Sequence, residues 1–417
     1  MERYESYKPS GISWIGEIPS HWEEASLGHL FEILAGGDTK PEVYSYDKDE
    51  QHPHPVYTNT KDENATYAYT SNPPFGPNAI TVTGRGDIGR AFFRDHFFDA
   101  IVRLLVLTPR KETLNGRYYA HFINSIQGIT SDSAAIGQLS TLQLYPFKAT
   151  IPPLVEQERI VEYLSTKTSQ IDAQQRERER ELRLLDELKQ AEIASVVTRG
   201  LNPDVPMKDS GIPWIGQIPA HWEVQRLGSL FHDRISSNSD YIFDRAYKFN
   251  YGTLVPKNEV GDVSELKDTY IKYSILQPND IVINGLNLNY DFVSKRVAIS
   301  PTDCIITSAY LVLRPFDTTF AEYFLQLFKA MDSQKLFHGM GTGIRLTLSF
   351  NELKSQYLPI PPIEEQRAIV EYIQQRNSAI DEMIANLRAE IDFLTEYKQR
   401  LIADVVTGQV NVQNLKP

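Results

Sequence analysis

The segment SGISWIGEIPSHWE at residues 10–23 returns as SGIPWIGQIPAHWE at residues 210–223, with eleven of the fourteen positions identical. The offset between the two copies is 200 residues at every position. All the tryptophans of the chain lie in these copies, and they are Trp14, Trp22, Trp214 and Trp222. A period of this length indicates a duplicated domain with its connector, because the repeats of a solenoid are only about 20–50 residues long.

A second shared block predicts a long helix in each half. IPPLVEQERIVEYL at residues 151–164 recurs as IPPIEEQRAIVEYI at residues 360–373, now with an offset of 209. Two prolines precede each helix, where they are tolerated, and acidic residues follow near the positive end of the helix dipole. In the second half, apolar residues then recur at spacings of three and four, which is the pattern of a helical stripe. They are Ile369, Ile373, Ile380, Met383, Leu387, Ile391, Leu394, Leu401 and Val405.

The middle of the first helix has a different character. Its segment QQRERERE at residues 174–181 is polar all round, which is typical of a solvated bridge and excludes a core element. Each helix could hold about 45 residues and would then be on the order of 65 Å long. The two helices could pair antiparallel within the chain, or they could be coiled-coil segments that simply dimerise the protein.

Between the shared blocks the two halves diverge, and both carry mixed strand and helix signals. Strands are predicted at residues 79–84 and 104–109 in the first half and at 279–285 and 309–315 in the second, and short helices at 116–126 and 321–331. The expected fold class is α+β, with two similar globular domains joined by two long antiparallel coiled-coil helices in a pseudo-twofold tandem repeat. The expected domains are 1–153 (first globular domain), 154–200 (first long helix), 201–361 (second globular domain), 362–410 (second long helix) and 411–417 (C-terminal tail).

Composition narrows the class of protein. The chain has 417 residues, is 41% apolar and 23% charged, and has enough apolar mass for more than one core. No apolar run approaches the roughly 18 residues of a membrane span, and the polar start MERYESYKPS does not resemble a secretory signal, so we expect a cytoplasmic protein without a membrane partner. Cys304 is the single cysteine, which excludes an internal disulfide and argues against a structural zinc site. The net charge of −12 argues mildly against nucleic-acid binding.

Two motifs resemble parts of enzymes. Gly84, Gly86 and Gly89 form a GxGxxG pattern after a predicted strand, but the acidic residue that a dinucleotide-binding fold needs about twenty residues later is absent. SNPPFG at residues 71–76 resembles the loop with which N6-adenine methyltransferases hold a flipped base. Such enzymes also need a glycine-rich turn for S-adenosylmethionine, and none is found here. We therefore interpret both motifs as turns, and an N6-adenine methyltransferase that uses the SNPPF loop remains a minor alternative.

The two halves can be compared with each other. Segments that are alike in the two halves should contact the same kind of partner or core twice, and segments that differ should contact different targets. The tryptophan segments and helices are kept, so the chain should hold two identical partners or form a pseudo-twofold core. The globular regions vary, so they should contact two unlike targets.

At this point the chain resembles the specificity (S) subunit of type I DNA restriction–modification enzymes over essentially all of its length. The tryptophan segments and the IPP-x2-EQ-x2-IV-EY helix starts carry the resemblance, each of them twice, together with TGRGDIG and GTGIRLTLSFNELKSQYLPIPP. It implies a subunit without catalytic activity, whose two target-recognition domains each read half of a split double-stranded DNA site, while the helices set the unread gap.

The resemblance also implies the partners. Two modification subunits would carry adenine-N6 methyltransferase activity, and two restriction subunits would add ATP-dependent translocation and cleavage in a prokaryotic cytoplasm. This chain would bind no cofactor itself, with S-adenosylmethionine, ATP and Mg expected on the partner subunits. The partners could also supply much of the phosphate neutralisation, which answers the objection from the acidic charge. A two-headed scaffold that bridges proteins without binding DNA remains the alternative.

Candidate DNA-reading residues come from polar side chains in the divergent regions, because Arg, Lys and Asn pair well with base edges in the major groove. The candidates in the first half are Tyr57, Asn59, Thr60, Lys61, Tyr67, Arg85, Arg90 and Arg94. The candidates in the second half are Lys248, Asn250, Asn284, Asn287, Asn289, Lys295, Arg296 and Arg345. Kept residues that should bind partners or hold the core are Trp14, Trp22, Trp214, Trp222, Glu156, Gln157, Glu365 and Gln366. No catalytic or metal-binding residues are expected.

Overall fold

The computed structural model describes residues 2–126, 138–257, 263–293, 295–343 and 346–415, without the side chains of 263–265. The chain divides into two compact units. Unit 1 comprises Met1–Glu179 and Arg388–Pro417, and unit 2 comprises Arg180–Leu387. Two long helices contribute to both units. Residues 2–153 are called here the first head, and residues 201–361 the second head.

Short strands and helices make up the first head. Its strands are β1 (Tyr7–Pro9), β2 (Glu17–Pro19), β3 (Glu23–Ser26), β4 (Phe31–Ala35), β5 (Tyr44–Ser45), β6 (His54–Tyr57), β7 (Ala68–Thr70), β8 (Ala79–Val82), β9 (Ala91–Arg94), β10 (Asp99–Ala100), β11 (Leu105–Pro109) and β12 (Lys148–Ile151). Its helices are α1 (Leu27–Leu30), α2 (Gly116–Ser125) and α3 (Thr141–Leu144), with a 3-10 turn at Pro41–Val43. The first long helix, α4, then runs over Leu154–Arg199.

The second head repeats this order. Its strands are β13 (Met207–Asp209), β14 (Gln217–Pro219), β15 (Glu223–Arg226), β16 (Phe231–His232), β17 (Tyr247–Asn250), β18 (Thr253–Pro256), β19 (Ser274–Leu276), β20 (Ile281–Ile283), β21 (Val297–Ile299), β22 (Cys304–Ile306), β23 (Leu311–Pro315) and β24 (Tyr357–Ile360). Its helices are α5 (Val263–Tyr270), α6 (Ala321–Ser333) and α7 (Phe350–Leu353), with 3-10 turns at Leu227–Ser229 and Leu336–Gly339. The second long helix, α8, runs over Ile363–Val406.

The central sheet is the same in both heads. It has four antiparallel strands, in the order β4-β11-β8-β9 in the first head and β16-β23-β20-β21 in the second. A buried helix packs on it, α2 in one head and α6 in the other. The strands and short helices predicted from the sequence are confirmed here, and so is the α+β fold class.

The divergent parts of the heads surround this sheet differently. In the first head a second sheet has the order β10-β6-β7-β5, with β10 parallel to β6. In the second head two separate antiparallel pairs take its place: the hairpin β17-β18, and β19-β22, whose strands are separated in the sequence by β20 and β21. The sequence comparison between the halves predicted this contrast of a shared framework with varied surroundings.

Within each unit the long helices pair antiparallel. In unit 1, Lys398 Nζ lies 2.6 Å from Asp172 Oδ1, and Arg178 lies 3.1 Å from Glu390. In unit 2, Lys189 Nζ lies 2.6 Å from Asp381 Oδ1. Asp172 and Asp381 occupy equivalent positions at the offset of 209, as do Lys189 and Lys398. The two ion pairs are therefore the same contact formed twice. In unit 1 α8 supplies the lysine and α4 the aspartate, and in unit 2 the reverse holds.

Burial along the helices follows the charge pattern of the sequence. No residue from 172 to 196 of α4 is fully buried, as expected for its polar middle. In α8 the predicted stripe is buried at Ile369, Ile373 and Ile380 and again at Leu401 and Val405. Met383 departs from the stripe, because its side chain is 52% exposed.

Candidate nucleic-acid interface

The repeated tryptophan segment folds into the same structure in both heads. In the first head β1 and β2 form an antiparallel pair, and the turn between them is closed by Ser10 N donating to Gly16 O at 2.8 Å. In the second head Ser210 N donates to Gly216 O at the same distance. Gly16 and Gly216 have φ values of +77° and +74°, a conformation that favours glycine. Trp14 and Trp214, in the same turns, are partly buried against the cores.

A carboxylate joins each segment to a long helix, and it is buried in the first copy and partly exposed in the second. Trp22 is fully buried, and its Nε1 donates to Glu156 Oε2 at 2.9 Å. His21 Nε2 lies 2.6 Å from Glu156 Oε1, and Tyr4 donates its hydroxyl to the same carboxylate. Burial and this carboxylate raise the pKa of Tyr4, which therefore remains a donor. We call Glu156 with its donors the first carboxylate anchor.

The second head contains the matching anchor. Trp222 is also fully buried and donates Nε1 to Glu365 Oε2 at 3.0 Å, while His221 Nε2 lies 2.8 Å from the same oxygen. The neighbouring glutamines, Gln157 and Gln366, are buried as well. Their amides donate to the carbonyl oxygens of Pro152 and Pro361, each at 2.8 Å, and so close the start of each helix. Of these kept side chains, the tryptophans lie in the heads, and the glutamates and glutamines lie at the starts of the long helices.

The C-terminal end of each long helix packs on a tryptophan segment: that of α8 on the segment of unit 1, and that of α4 on the segment of unit 2. In unit 1, Gly408 follows α8 with φ +75°, and a Cβ at this position would meet Pro19 and Trp22 within 3.0 Å. In unit 2, Gly200 follows α4 with φ +73°, and a Cβ there would lie 2.7 Å from Glu365. The backbone conformation favours glycine at both positions, and at Gly408 the close approach of the Pro19 and Trp22 rings is a second reason.

In the first head, a turn between β8 and β9 presents two of the candidate arginines. Asn59 is partly exposed, but its amide is engaged within the protein: its Oδ1 accepts from Gly84 N and Arg85 N, and its Nδ2 donates to Val102 O at 2.7 Å. Arg85 is exposed and reaches Gln138, while Arg90 is exposed and forms an ion pair of 2.7 Å with Asp87. The structure thus makes Asn59 a support for a turn that projects Arg85 and Arg90.

Arg94 and Tyr57 are buried together. The Arg94 guanidinium lies 3.7 Å from the centre of the Tyr57 ring, and it donates to Thr81 Oγ1 and to the carbonyl oxygen of Glu63. Only 4% of Arg94 is exposed, and burial lowers its pKa. These contacts use the guanidinium inside the protein, so the structure does not present Arg94 or Tyr57 to DNA. The other candidates, Thr60, Lys61 and Tyr67, are at least partly exposed.

In the second head, the candidates lie in two places. Lys248 and Asn250 are exposed on β17, while the others follow β20. Asn287 and Lys295 are exposed, and Asn284 and Asn289 are partly buried. Arg345 lies outside the described residues.

Arg296 is buried completely. Its guanidinium donates to the carbonyl oxygens of Asn284, Leu286 and Asp291 at 2.7–2.9 Å. Its backbone N–H donates to Asp332 Oδ2 at 2.7 Å. Like Arg94, this arginine shapes the head and is not presented to DNA in this structure.

The two enzyme-like motifs are turns. The GxGxxG glycines connect β8 to β9, which are antiparallel neighbours, whereas a dinucleotide-binding motif leads from a strand into a helix. In SNPPFG, Phe75 stacks on Phe98 with ring centres 5.4 Å apart and exchanges backbone hydrogen bonds with it. The ring that would hold a flipped base is thus packed against the protein.

Sequence reasoning overlooked several exposed apolar side chains, because it considers mainly polar types as DNA contacts. Tyr46 and Phe97 are exposed in the first head. In the second head Tyr290, Phe292 and Val293 are exposed within the segment NLNYDFV. Closely spaced large apolar residues in an otherwise polar loop are the signal that could have revealed them.

The described part of the chain holds no metal centre and no membrane span. It contains no group of three or more His, Cys, Asp or Glu side chains that could hold a metal ion. Within the same ranges no helix is long and apolar enough to cross a membrane.

Comparison with known proteins gives the same family for both halves. Residues 19–183 and 219–392 each match the family model described as type I restriction modification DNA specificity domain. The specificity subunit of the type I restriction enzyme EcoBI from Escherichia coli is 23% identical over 439 residues, covering 96% of this chain and 89% of that one. A putative type I specificity subunit, MjaX, from Methanocaldococcus jannaschii is 23% identical, with 96% of each chain covered.

Two solved structures share the fold. One, from a study of complex assembly and conformational transition of the type I R-M system, has a TM-score of 0.66 at 14% identity and covers 94% of this chain and 99% of that one. The HsdS subunit of Thermoanaerobacter tengcongensis has a TM-score of 0.50 at 16% identity, with coverage of 94% and 98%. Since the family model matches both halves, the chain belongs to the type I restriction modification DNA specificity family.

Proposed function

We propose that each head reads one half of a bipartite double-stranded DNA site. The chain is a type I specificity subunit with two target-recognition domains, and catalysis lies on partner subunits. One observation supports the assignment of a different half-site to each head. The heads share the order of their central sheets but differ in the strands and loops around them, so they suit two different sequences of bases.

The exposed candidates supply suitable chemistry in both heads. Arg85 and Arg90 project from one turn of the first head, and Lys248 and Asn250 lie on one strand of the second. Arginine can bond guanine edges through two donors, and asparagine can bond adenine through a donor and an acceptor. Arg94 and Arg296, whose donors are engaged inside the heads, are left out of the proposed reading set.

The chain would act within a larger assembly in the prokaryotic cytoplasm. We infer two modification subunits and two restriction subunits, one of each for each repeat of the framework. S-adenosylmethionine, ATP and Mg would be bound by those partners and not by this chain. The acidic balance of the chain fits this assignment, because cationic partners can provide part of the phosphate contact.

The test is to map methylation by the complex of this chain with its modification subunit in a host without other methyltransferases. We expect one bipartite motif with an unread gap. Arg85→Ala together with Arg90→Ala should relax one half of that motif and leave the other half unchanged. Lys248→Ala together with Asn250→Ala should do the reverse. Removing a side chain that reads a base should cost about 1–3 kcal/mol of discrimination at one position of the motif.

The control is Lys61→Ala, which removes an exposed cation of the first head that lies outside the turn carrying Arg85 and Arg90. If Lys61 touches only phosphate, binding should weaken equally at all sequences. A motif whose two halves relax together in either double variant would contradict the proposed division. A folded complex that neither binds nor methylates any duplex would instead favour the protein-bridging scaffold.

A further inference from the structure

The second head projects an apolar loop at the position where the first head projects arginines. In both central sheets this loop joins the third and fourth strands: β8 to β9 over residues 83–90, and β20 to β21 over residues 284–296. The first carries Arg85 and Arg90 on its surface. The second is longer, and Tyr290, Phe292 and Val293 on it are 79%, 55% and 85% exposed. We call these three residues the apolar tip.

The framework beneath the apolar tip is well fixed for a surface loop. The guanidinium of Arg296 is buried and donates to the carbonyl oxygens of Asn284, Leu286 and Asp291, which tie the two ends of the loop together. Leu288 is fully buried in the core of the head. A loop held in this way loses little conformational freedom on binding, so its tip is prepared to contact a partner.

Further contacts fix the position of the tip residues themselves. Phe292 stacks on His338 with ring centres 4.7 Å apart and an angle of 18° between the planes. His338 Nε2 lies 3.0 Å from the carbonyl oxygen of Asp291, and Val293 N donates to Asp291 Oδ1 at 3.1 Å. One face of the Phe292 ring is therefore covered by His338, while Tyr290 and Val293 remain the outermost side chains.

We propose that Tyr290 and Val293 insert into the base stack of the half-site that the second head reads. This inference rests on the proposed function. DNA is the partner that the surroundings favour, because the neighbouring Lys295 is exposed and its only loosely held ion pair with Asp186, at 3.8 Å, can give way to a phosphate beside the inserted side chains. Apolar wedges that enter a base step unstack it partly and kink the duplex, so the head would read how easily a step deforms as well as its base edges.

The test uses the complete complex with its modification subunit and duplexes carrying its methylation motif. 2-Aminopurine is placed at successive positions of the second half-site, and its fluorescence reports unstacking. We expect one position, distinct from the methylated adenine, to brighten several-fold on binding. Tyr290→Ala with Val293→Ala should abolish that change and weaken binding by about tenfold, the scale of one base–aromatic stack.

Two further variants sharpen the experiment. Tyr290→Phe keeps the ring and should keep the fluorescence change, which a loss of folding would not allow. Ile242→Ala removes a side chain of the same head that is 65% exposed and lies outside the loop, and it should leave binding and fluorescence unaltered.

The outcomes separate this inference from the function on which it rests. If the wild-type complex binds its motif but no 2-aminopurine position responds to the double variant, insertion is wrong and half-site recognition stands. If the double variant loses the modification subunit in the absence of DNA, the tip is a protein interface, which also overturns insertion. If the wild-type complex binds no duplex specifically, the proposed function itself fails.

Discussion

His121 shows how the framework controls the charge of a single residue. It lies on α2, where burial, together with the like positive charges of Arg117 and Lys398, lowers its pKa from the usual 6.5 to about 4. The unfolded chain takes up a proton below about pH 6.5, whereas the folded chain does so only near pH 4. The folded state therefore binds fewer protons in this window, and its stability falls as the pH drops from about 6.5 towards 4.

We expect His121→Gln to flatten this dependence. Glutamine stands at the equivalent position of the second head, Gln326, and it does not titrate. Urea unfolding at about pH 7.5, 6 and 5 gives the free energy of unfolding for each variant on both sides of the unfolded pKa. The exposed His29, changed to Gln, is the control and should keep the slope of the wild type. An equal slope in all three proteins would show that His121 does not contribute.

The limits of residue-level prediction are clearest at the arginines. Residue type selects Arg85 and Arg90, which are exposed, but it selects Arg94 and Arg296 on the same ground, and these are buried. A guanidinium has five donors that serve backbone carbonyl oxygens as well as base edges, so residue type cannot distinguish the two uses. The distinction depends on which carbonyl groups the fold brings near, and that is set by loops whose course the sequence does not reveal.

At the scale of elements, the first carboxylate anchor joins a strand pair to the start of a long helix. Glu156 on α4 accepts from Trp22 and Tyr4, and it is only 9% exposed. Glu156→Ala would leave these donors buried without an acceptor. We expect it to lower the free energy of unfolding by about 2–3 kcal/mol, since hydrogen bonds to charged groups are the stronger ones.

Chemical denaturation of the matched variants measures this effect. Glu156→Gln keeps an acceptor oxygen and should lose less stability, while Glu158→Ala changes an exposed carboxylate in the same helical turn and should lose little. If Glu156→Ala were as mild as Glu158→Ala, the anchor would not be the contact that explains why the segment is repeated.

The sequence predicted the positions of the helices and central strands better than it predicted which element packs against each of them. The paired prolines, the acidic first turns and the strand patterns placed the helices and central strands, because these signals act within a few residues. The apolar stripe of α8 did not reveal what covers it, and it failed at Met383. A stripe shows which face is buried but carries no information on whether the covering helix is parallel, antiparallel or from another copy.

At the scale of the whole molecule, the repeat makes parts of the chain interchangeable. Unit 1 is completed by residues 388–406 of α8, and at the offset of 209 these correspond to residues 179–197 of α4. Tyr118 donates its hydroxyl to Val406 O at 2.8 Å, and Tyr323 donates to the equivalent Val197 O at 2.9 Å. A fragment of residues 1–200 would therefore contain both a first head and a segment able to complete it.

We expect this fragment to form a symmetric dimer through its helix. Its apolar positions Ile160, Leu164 and Ile171, buried in the intact chain, would otherwise face water, and Leu182, Leu185 and Val196 lie in the segment that would cover them in the other copy. Asp172 would pair with Lys189 of the second copy, as it pairs with Lys398 in the intact chain. With the modification subunit, the dimer should methylate a palindromic version of the half-site that the first head reads.

Sedimentation measures the association, and charge exchange tests the pairing. Lys189→Asp places like charges opposite each other and should weaken the dimer, while Lys189→Asp combined with Asp172→Lys should restore it because the attraction returns with reversed signs. The first helix has the weaker apolar stripe, so the dimer should be less stable than the intact chain. A well-folded fragment that stays monomeric with the modification subunit present would refute this pairing, because no other segment of the fragment carries the sequence equivalent of residues 388–406.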